Sequence, residues 1–152
     1  MKNDSRLSAI LHTVLHMADT NRPMTSGELA KHMNTNPVVV RRTMAGLRRA
    51  GIVRSEKGRG GGWEIACDLS TVTLGQVYDA LGAPPLLSAG VRIDHPDCLV
   101  EQSVNRALKP AFAEAEAMLR ARFNTVTLAE LAADFSAHAA QHRAHHKDHS
   151  HV

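Results

Sequence analysis

A mainly α-helical fold carrying one small β-hairpin is the class this 152-residue sequence predicts. Three observations predict it. Apolar residues recur at helical spacing through most of the chain. Capping boxes at Thr25, Thr73 and Thr127, each followed three residues later by Glu28, Gln76 or Glu130, mark helix starts. One glycine-rich run, Gly58 to Gly62, separates two short β-prone stretches. An apolar content of 43% excludes a disordered chain, and no run of eighteen apolar residues offers a membrane span. Residues 1–25 read as an amphipathic helix with Arg6, His12, His16 and Asp19, not as a signal peptide. Two cysteines are too few for a disulfide scaffold, so the expected compartment is the cytoplasm.

The elements follow in order. Leu7, Ile10, Leu11, Val14, Leu15 and Ala18 predict a first helix over about 5–19, ended by Asn21-Arg22-Pro23. Thr25 opens a short second helix with Leu29, Ala30 and Met33 facing inward. After the turn Asn34-Thr35, Asn36 is set to cap a third helix and Pro37 to occupy its first position. Val40, Met44 and Leu47 form its inner stripe, and Gly51 suits its left-handed end. The hairpin pairs Ile52–Ser55 with Trp63–Ala66 across a loop from Lys57 to Gly62. Thr73 opens a fourth helix that stops at Gly82, and residues 83–97 read as a connector. Periodicity returns from Asp97 to about Phe123, where Pro110 should kink or split the helix. A last helix is expected near 127–140, with residues 138–152 forming a His-rich, disordered tail.

Charge divides the chain. Residues 1–63 hold eleven Lys/Arg against four acids, net +7, whereas residues 64–152 hold seven against eleven, net −4. A basic half suits a polyanion. Two short helices joined by a tight turn, the second Arg-rich, followed by a basic glycine hairpin, have the order of a winged helix-turn-helix. A recognition helix must bury one face while its N-terminal half enters the major groove. Asn36, Pro37, Val38, Arg41 and Arg42 occupy that half, and arginine pairs in bidentate fashion with guanine O6 and N7. Arg48 and Arg49 lie toward the far end, better placed for phosphates. Lys57 and Arg59, among glycines, allow close approach to a backbone or a minor groove. An isolated Arg-rich helix is usually only a solvated face. Here the turn and the wing accompany it. A phosphate-binding P-loop does not fit, because Trp63 starts a strand where that motif needs a lysine and a helix.

Residues 7–81 resemble the Rrf-two family of bacterial winged-helix transcription regulators. The similarity is carried by the opening helix, Asn34–Arg42 (NTNPVVVRR), Leu47–Val53 (LRRAGIV), Ser55–Trp63 (SEKGRGGGW) and Val72–Leu81 (VTLGQVYDAL). It implies a DNA-binding unit at 1–82 and dimerisation helices at 98–137, with Leu99, Val104, Leu108 and Phe112 along the seam. The family's best-known branch holds an iron–sulfur cluster on three cysteines near that helix. This sequence has only Cys98 there, so no cluster is expected, the usual ligation being four cysteines. His12 and His95 are the residues that could add ligands. His95-Pro96-Asp97-Cys98 is instead similar to the cluster-less branch with one cysteine at this helix start.

A helix N-terminus favours a thiolate, which makes Cys98 a candidate redox or electrophile sensor; the rival is a small packing residue. Asp94 and Asp97 oppose thiolate formation. Cys67 reads as packing. In the tail, His138/His142 and His145/His149 have the i,i+4 spacing of weak metal ligands, against a rival reading as a solvated tail. No catalytic motif emerges, so no enzyme is expected. The expectation is a homodimeric repressor of a palindromic operator on double-stranded DNA, without cofactor or membrane contact. The rivals are a cluster- or metal-dependent regulator of the same family and a winged-helix module for protein interaction.

Overall fold

The structure, a computed structural model, describes residues 6–87 and 97–148, the side chains of 141–148 excepted. Three helices come first: α1 (Arg6–Thr20), α2 (Ser26–His32) and α3 (Pro37–Arg49). A two-stranded antiparallel hairpin follows, β1 (Val53–Glu56) with β2 (Gly62–Ile65), then α4 (Leu74–Ala80), α5 (Leu99–Phe123) and α6 (Leu128–Asp148). The mainly helical class with a hairpin wing is what the structure has.

The caps act as their residue types require. Thr25 Oγ1 accepts from the Glu28 N–H while the Glu28 carboxylate accepts from the Thr25 N–H at 2.7 Å. Thr73 with Gln76 and Thr127 with Glu130 repeat the arrangement. Asn36 Oδ1 accepts from the N–H groups of Val38 and Val39, with Pro37 in the first turn of α3. α1 and α2 are followed by asparagines in the left-handed region, Asn21 (φ 50°) and Asn34 (φ 49°). Met33 is the residue that caps α2, half-buried just beyond its last turn.

One core joins these elements. Ile10, Val14 and Met17 of α1 meet Leu29 of α2 and Val40, Met44 and Leu47 of α3, with Ile52, Val53, Trp63 and Val77 closing the sides. Burying each such side chain contributes about 1.5–3 kcal/mol before entropy is counted. The one buried polar side chain among the described residues, Thr13, donates to the Ala9 carbonyl at 2.8 Å. Gly46 lets α3 approach α4, since a Cβ there would collide with the Ala80 carbonyl oxygen.

Four points differ from the sequence expectations or add to them. The hairpin ladder runs Val53–Glu56 against Gly62–Ile65, one residue off on each strand, while Ile52 and Ala66 keep a bond just outside it. Of the kink or split expected at Pro110, the split does not occur: α5 is unbroken from Leu99 to Phe123, because a missing proline N–H removes only one bond from a long ladder. Of the tail expected at 138–152, residues 138–148 continue α6, in keeping with Ala137, Ala139, Ala140 and Ala144, the best helix formers, and 149–152 lie outside the described residues. Finally, α6, expected with α5 among the dimerisation helices at 98–137, is anchored at its start in the N-terminal unit: Leu128, fully buried, belongs to that core. Backbone bonds hold it there, from Leu74 N–H to Val126 O, Leu128 N–H to Val72 O and Ala129 N–H to Leu69 O, at 2.9–3.0 Å. The connector stretch 88–96, with Asp94, His95 and Pro96, lies outside the described residues.

Candidate nucleic-acid interface

Asparagine-capped α3 presents its N-terminal half outward. Asn36, Pro37, Val38, Arg41 and Arg42 are all exposed, Val38 at 58%. The side opposite them carries Val40, Met44 and Leu47 into the core, so the helix cannot rotate without exposing that stripe. The four arginines divide into two rows seven residues apart. Arg41 and Arg48 face the wing: Arg41 lines a groove with Ser55, Lys57 and Trp63, and Arg48 donates to Ser55 Oγ at 3.4 Å. Arg42 and Arg49 face the other way, lining one cavity with Asn34, Val39 and Gly82.

The wing is fixed at its base and free at its tip. Arg54 of β1 bonds Glu64 of β2 at 2.6 Å, which raises the Arg54 pKa. Trp63 is held twice: its backbone pairs with Met24 in both directions at 2.8 and 2.9 Å, and its indole N–H donates to Ser26 Oγ at 3.0 Å. Lys57 and Arg59 at the tip are exposed, with Gly58 (φ 99°) between them and Gly60 (φ 82°) just after shaping the loop. The Met24–Trp63 pairing has no signature in Asn21–Ser26, where the proline and the cap dominate. It is a partnership that only the closed fold creates.

Cys98 is the exposed N-cap residue of α5, its side chain making no capping bond. Cys67 is half-buried against the core, and burial pushes its thiol pKa up. Along α5 no residue is buried; Leu99 is 76% exposed, Val104 49% and Leu108 40%, with Phe112 half-buried. The helix touches the rest of the protein near its end, where Arg120 bonds Asp79 at 2.8 Å and lies over the Tyr78 ring. His138 meets Asp134 on α6, while the side chains of His142, His145 and His149 lie outside the described residues.

A half-buried helix with outward arginines, next to a basic glycine-tipped hairpin, defines the winged-helix class of DNA-binding proteins. The family description "Iron-dependent Transcriptional regulator" matches residues 3–134, and the chain belongs to that family, Rrf2. YwnA of Bacillus subtilis (strain 168), named for an HTH-type transcriptional regulator, is 32% identical over 109 residues, 72% of this chain and 80% of that protein. A crystal structure from Lactobacillus plantarum, described as that of a transcriptional regulator, is 25% identical with a TM-score of 0.68, covering 96% of this chain and 99% of that one. CymR, the global cysteine regulator of B. subtilis, shares the fold at 16% identity and a TM-score of 0.54, covering 88% of this chain and 95% of that one. The protein is thus a transcriptional regulator and not an enzyme. No helix among the described residues is long and apolar enough to cross a membrane.

The family description names iron, and the donor set at the start of α5 does not fit an iron–sulfur cluster. Cys98 is the single thiol there among the described residues, and Cys67, the chain's other cysteine, lies against the core after β2. Clusters are ordinarily held by four thiolates.

Proposed function

We propose that the protein is a cytoplasmic homodimer that binds a palindromic operator on double-stranded DNA and represses transcription, without an iron–sulfur cluster. The observation that carries this reading is the outward N-terminal half of α3 beside the basic wing tip. Asn36, Pro37 and Val38 approach the groove first. Arg42 reads a base edge, Arg41 works between base and wing, and Arg48 and Arg49 contact phosphates on either side. Lys57 and Arg59 reach the flanking minor groove, where an A·T-rich sequence concentrates negative potential. A two-fold dimer presents two copies of α3 to two half-sites, and the exposed apolar stripe of α5 supports such pairing. Occupancy of an operator excludes other proteins from it, hence repression. Cys98 stands where the connector joins α5, so its oxidation or alkylation would alter the spacing of the two winged units.

Selection of binding sites from random DNA, followed by affinity measurements over a salt series, tests the reading. A symmetric site whose affinity falls steeply with salt is expected. Failure to enrich any sequence would favour a winged-helix module for protein interaction. For Cys98, operator binding after peroxide treatment should weaken in the wild type and not in Cys98→Ser. Equal responses would leave Cys98 without a sensing role.

A further inference from the structure

Away from the DNA-facing surface, three histidines converge. His12 and His16 stand one turn apart on α1, and His32 is the last residue of α2. The ring centroids of His12 and His16 are 4.6 Å apart, as are those of His16 and His32, and one ring nitrogen from each residue lies within 4.8 Å of the other two. The sequence assembles them by ordinary means. An i,i+4 pair shares one helix face, and Leu29, buried against the α1 core residues, brings the end of α2 to that face. His16 and His32 are half-buried and His12 is exposed; Phe135 of α6 lies 6.1 Å from His16, ring to ring. The cluster therefore has a protein-lined back and a solvent-open front.

We propose that His12, His16 and His32 form a binding site for a divalent transition-metal ion of the zinc class, with the fourth position open to water. Imidazole nitrogen is the ligand such ions favour, and zinc takes four ligands in a tetrahedron at about 2.0–2.1 Å. That geometry sets the nitrogens about 3.4 Å from one another. The present separations, within 4.8 Å, must close to that value by side-chain rotation on binding. His16 is biased toward the neutral form a metal needs. Burial, followed by the nearby His12 and His32, lowers the pKa of His16, with Asp19 acting in the opposite sense. Three packed imidazolium ions would repel one another, whereas one divalent ion shared by three neutral rings removes that conflict. Bound there, the ion ties α1 to the helix that immediately precedes α3, bracing the scaffold that presents the arginines. The site does not depend on Cys98 or on the α5 pairing.

To keep the histidines of the C-terminal stretch from competing for metal, the test starts from the full chain with His138, His142, His145, His146, His149 and His151 each replaced by Gln. Zn²⁺ alone is titrated against a chromogenic chelator, and Co²⁺ is used as a visible reporter of four-coordinate geometry. We expect one ion per chain at micromolar or tighter affinity, the absorption bands of tetrahedral cobalt, and a melting temperature several degrees higher with metal. Adding His16→Gln should weaken binding by at least about 100-fold, since a lost ligand costs more than a lost outer-shell partner. It should also abolish the cobalt bands. His12→Gln, at the exposed ligand, gives the same readout without disturbing the core. Absence of Zn²⁺ uptake by the tail-substituted chain, or undiminished uptake after His12→Gln, would overturn the proposal.

Discussion

Glu28 shows how much one side chain can be asked to do. Its carboxylate accepts from Arg22 at 2.8 Å and from the Thr25 N–H at 2.7 Å. The Arg22 bond, then those from the Thr25 backbone and hydroxyl, pull its pKa from 4.5 to about 2. Because the folded value lies below the unfolded one, its contribution to stability is complete above pH 4.5 and is lost as the pH falls toward 2. Thermal unfolding followed between those pH values should show a drop that Glu28→Gln flattens. On the proposed DNA-facing surface, Arg42→Ala should cost about 1–3 kcal/mol on the selected site and much less on random DNA. Equal losses on both would make Arg42 a phosphate contact. These two residues were legible as a capping-box acid and an outward arginine, since both roles follow from position in a helix. The division of the four arginines into a wing-facing and an α4-facing row was not, because it depends on what packs beside α3.

Among the elements, α3 is the most constrained. Its inner stripe is locked by the core, and its middle passes so close to α4 that only glycine fits at position 46. Gly46→Ala would drive a Cβ into the Ala80 backbone, which cannot rotate away as a side chain can. A destabilisation of about 1–3 kcal/mol is expected, measurable by denaturant unfolding. The helix starts at Thr25, Asn36, Thr73 and Thr127 were readable because a cap is a local contract between residues a few positions apart. The one-residue shift of the hairpin was not, since strand ends are set by the register across the sheet. The persistence of α5 through Pro110 and of α6 to Asp148 likewise reflects cooperativity over whole helices, which a single residue or a composition boundary does not override.

For the whole molecule, the decisive arrangement is that α6 begins inside the N-terminal core while α5 stands almost free of it. Leu128→Ala should therefore destabilise the winged-helix unit itself, by about 2–5 kcal/mol in thermal or denaturant unfolding, although it lies far along the chain from α3. The exposed stripe on α5 predicts the opposite kind of variant. Leu108→Asp, at an exposed position on a helix with no buried residue, should leave helicity intact while shifting sedimentation from the proposed dimer to monomer and weakening operator binding. A wild-type chain that sediments as a monomer at micromolar concentration would remove the two-fold operator reading.

By itself the sequence determined the helix starts, the inner stripes of α1 and α3, the presence of a basic glycine wing and hence the winged-helix class. Each of these rests on residues a few positions apart, where capping, periodicity and turn chemistry act alone. Only the tertiary structure decided that Met24 pairs with Trp63, that Leu128 completes the core, and that His32 arrives beside His12 and His16. Those contacts join residues separated by many turns of chain. They exist because burying the apolar faces of several helices at once leaves few ways to pack them, and that choice fixes which distant side chains become neighbours.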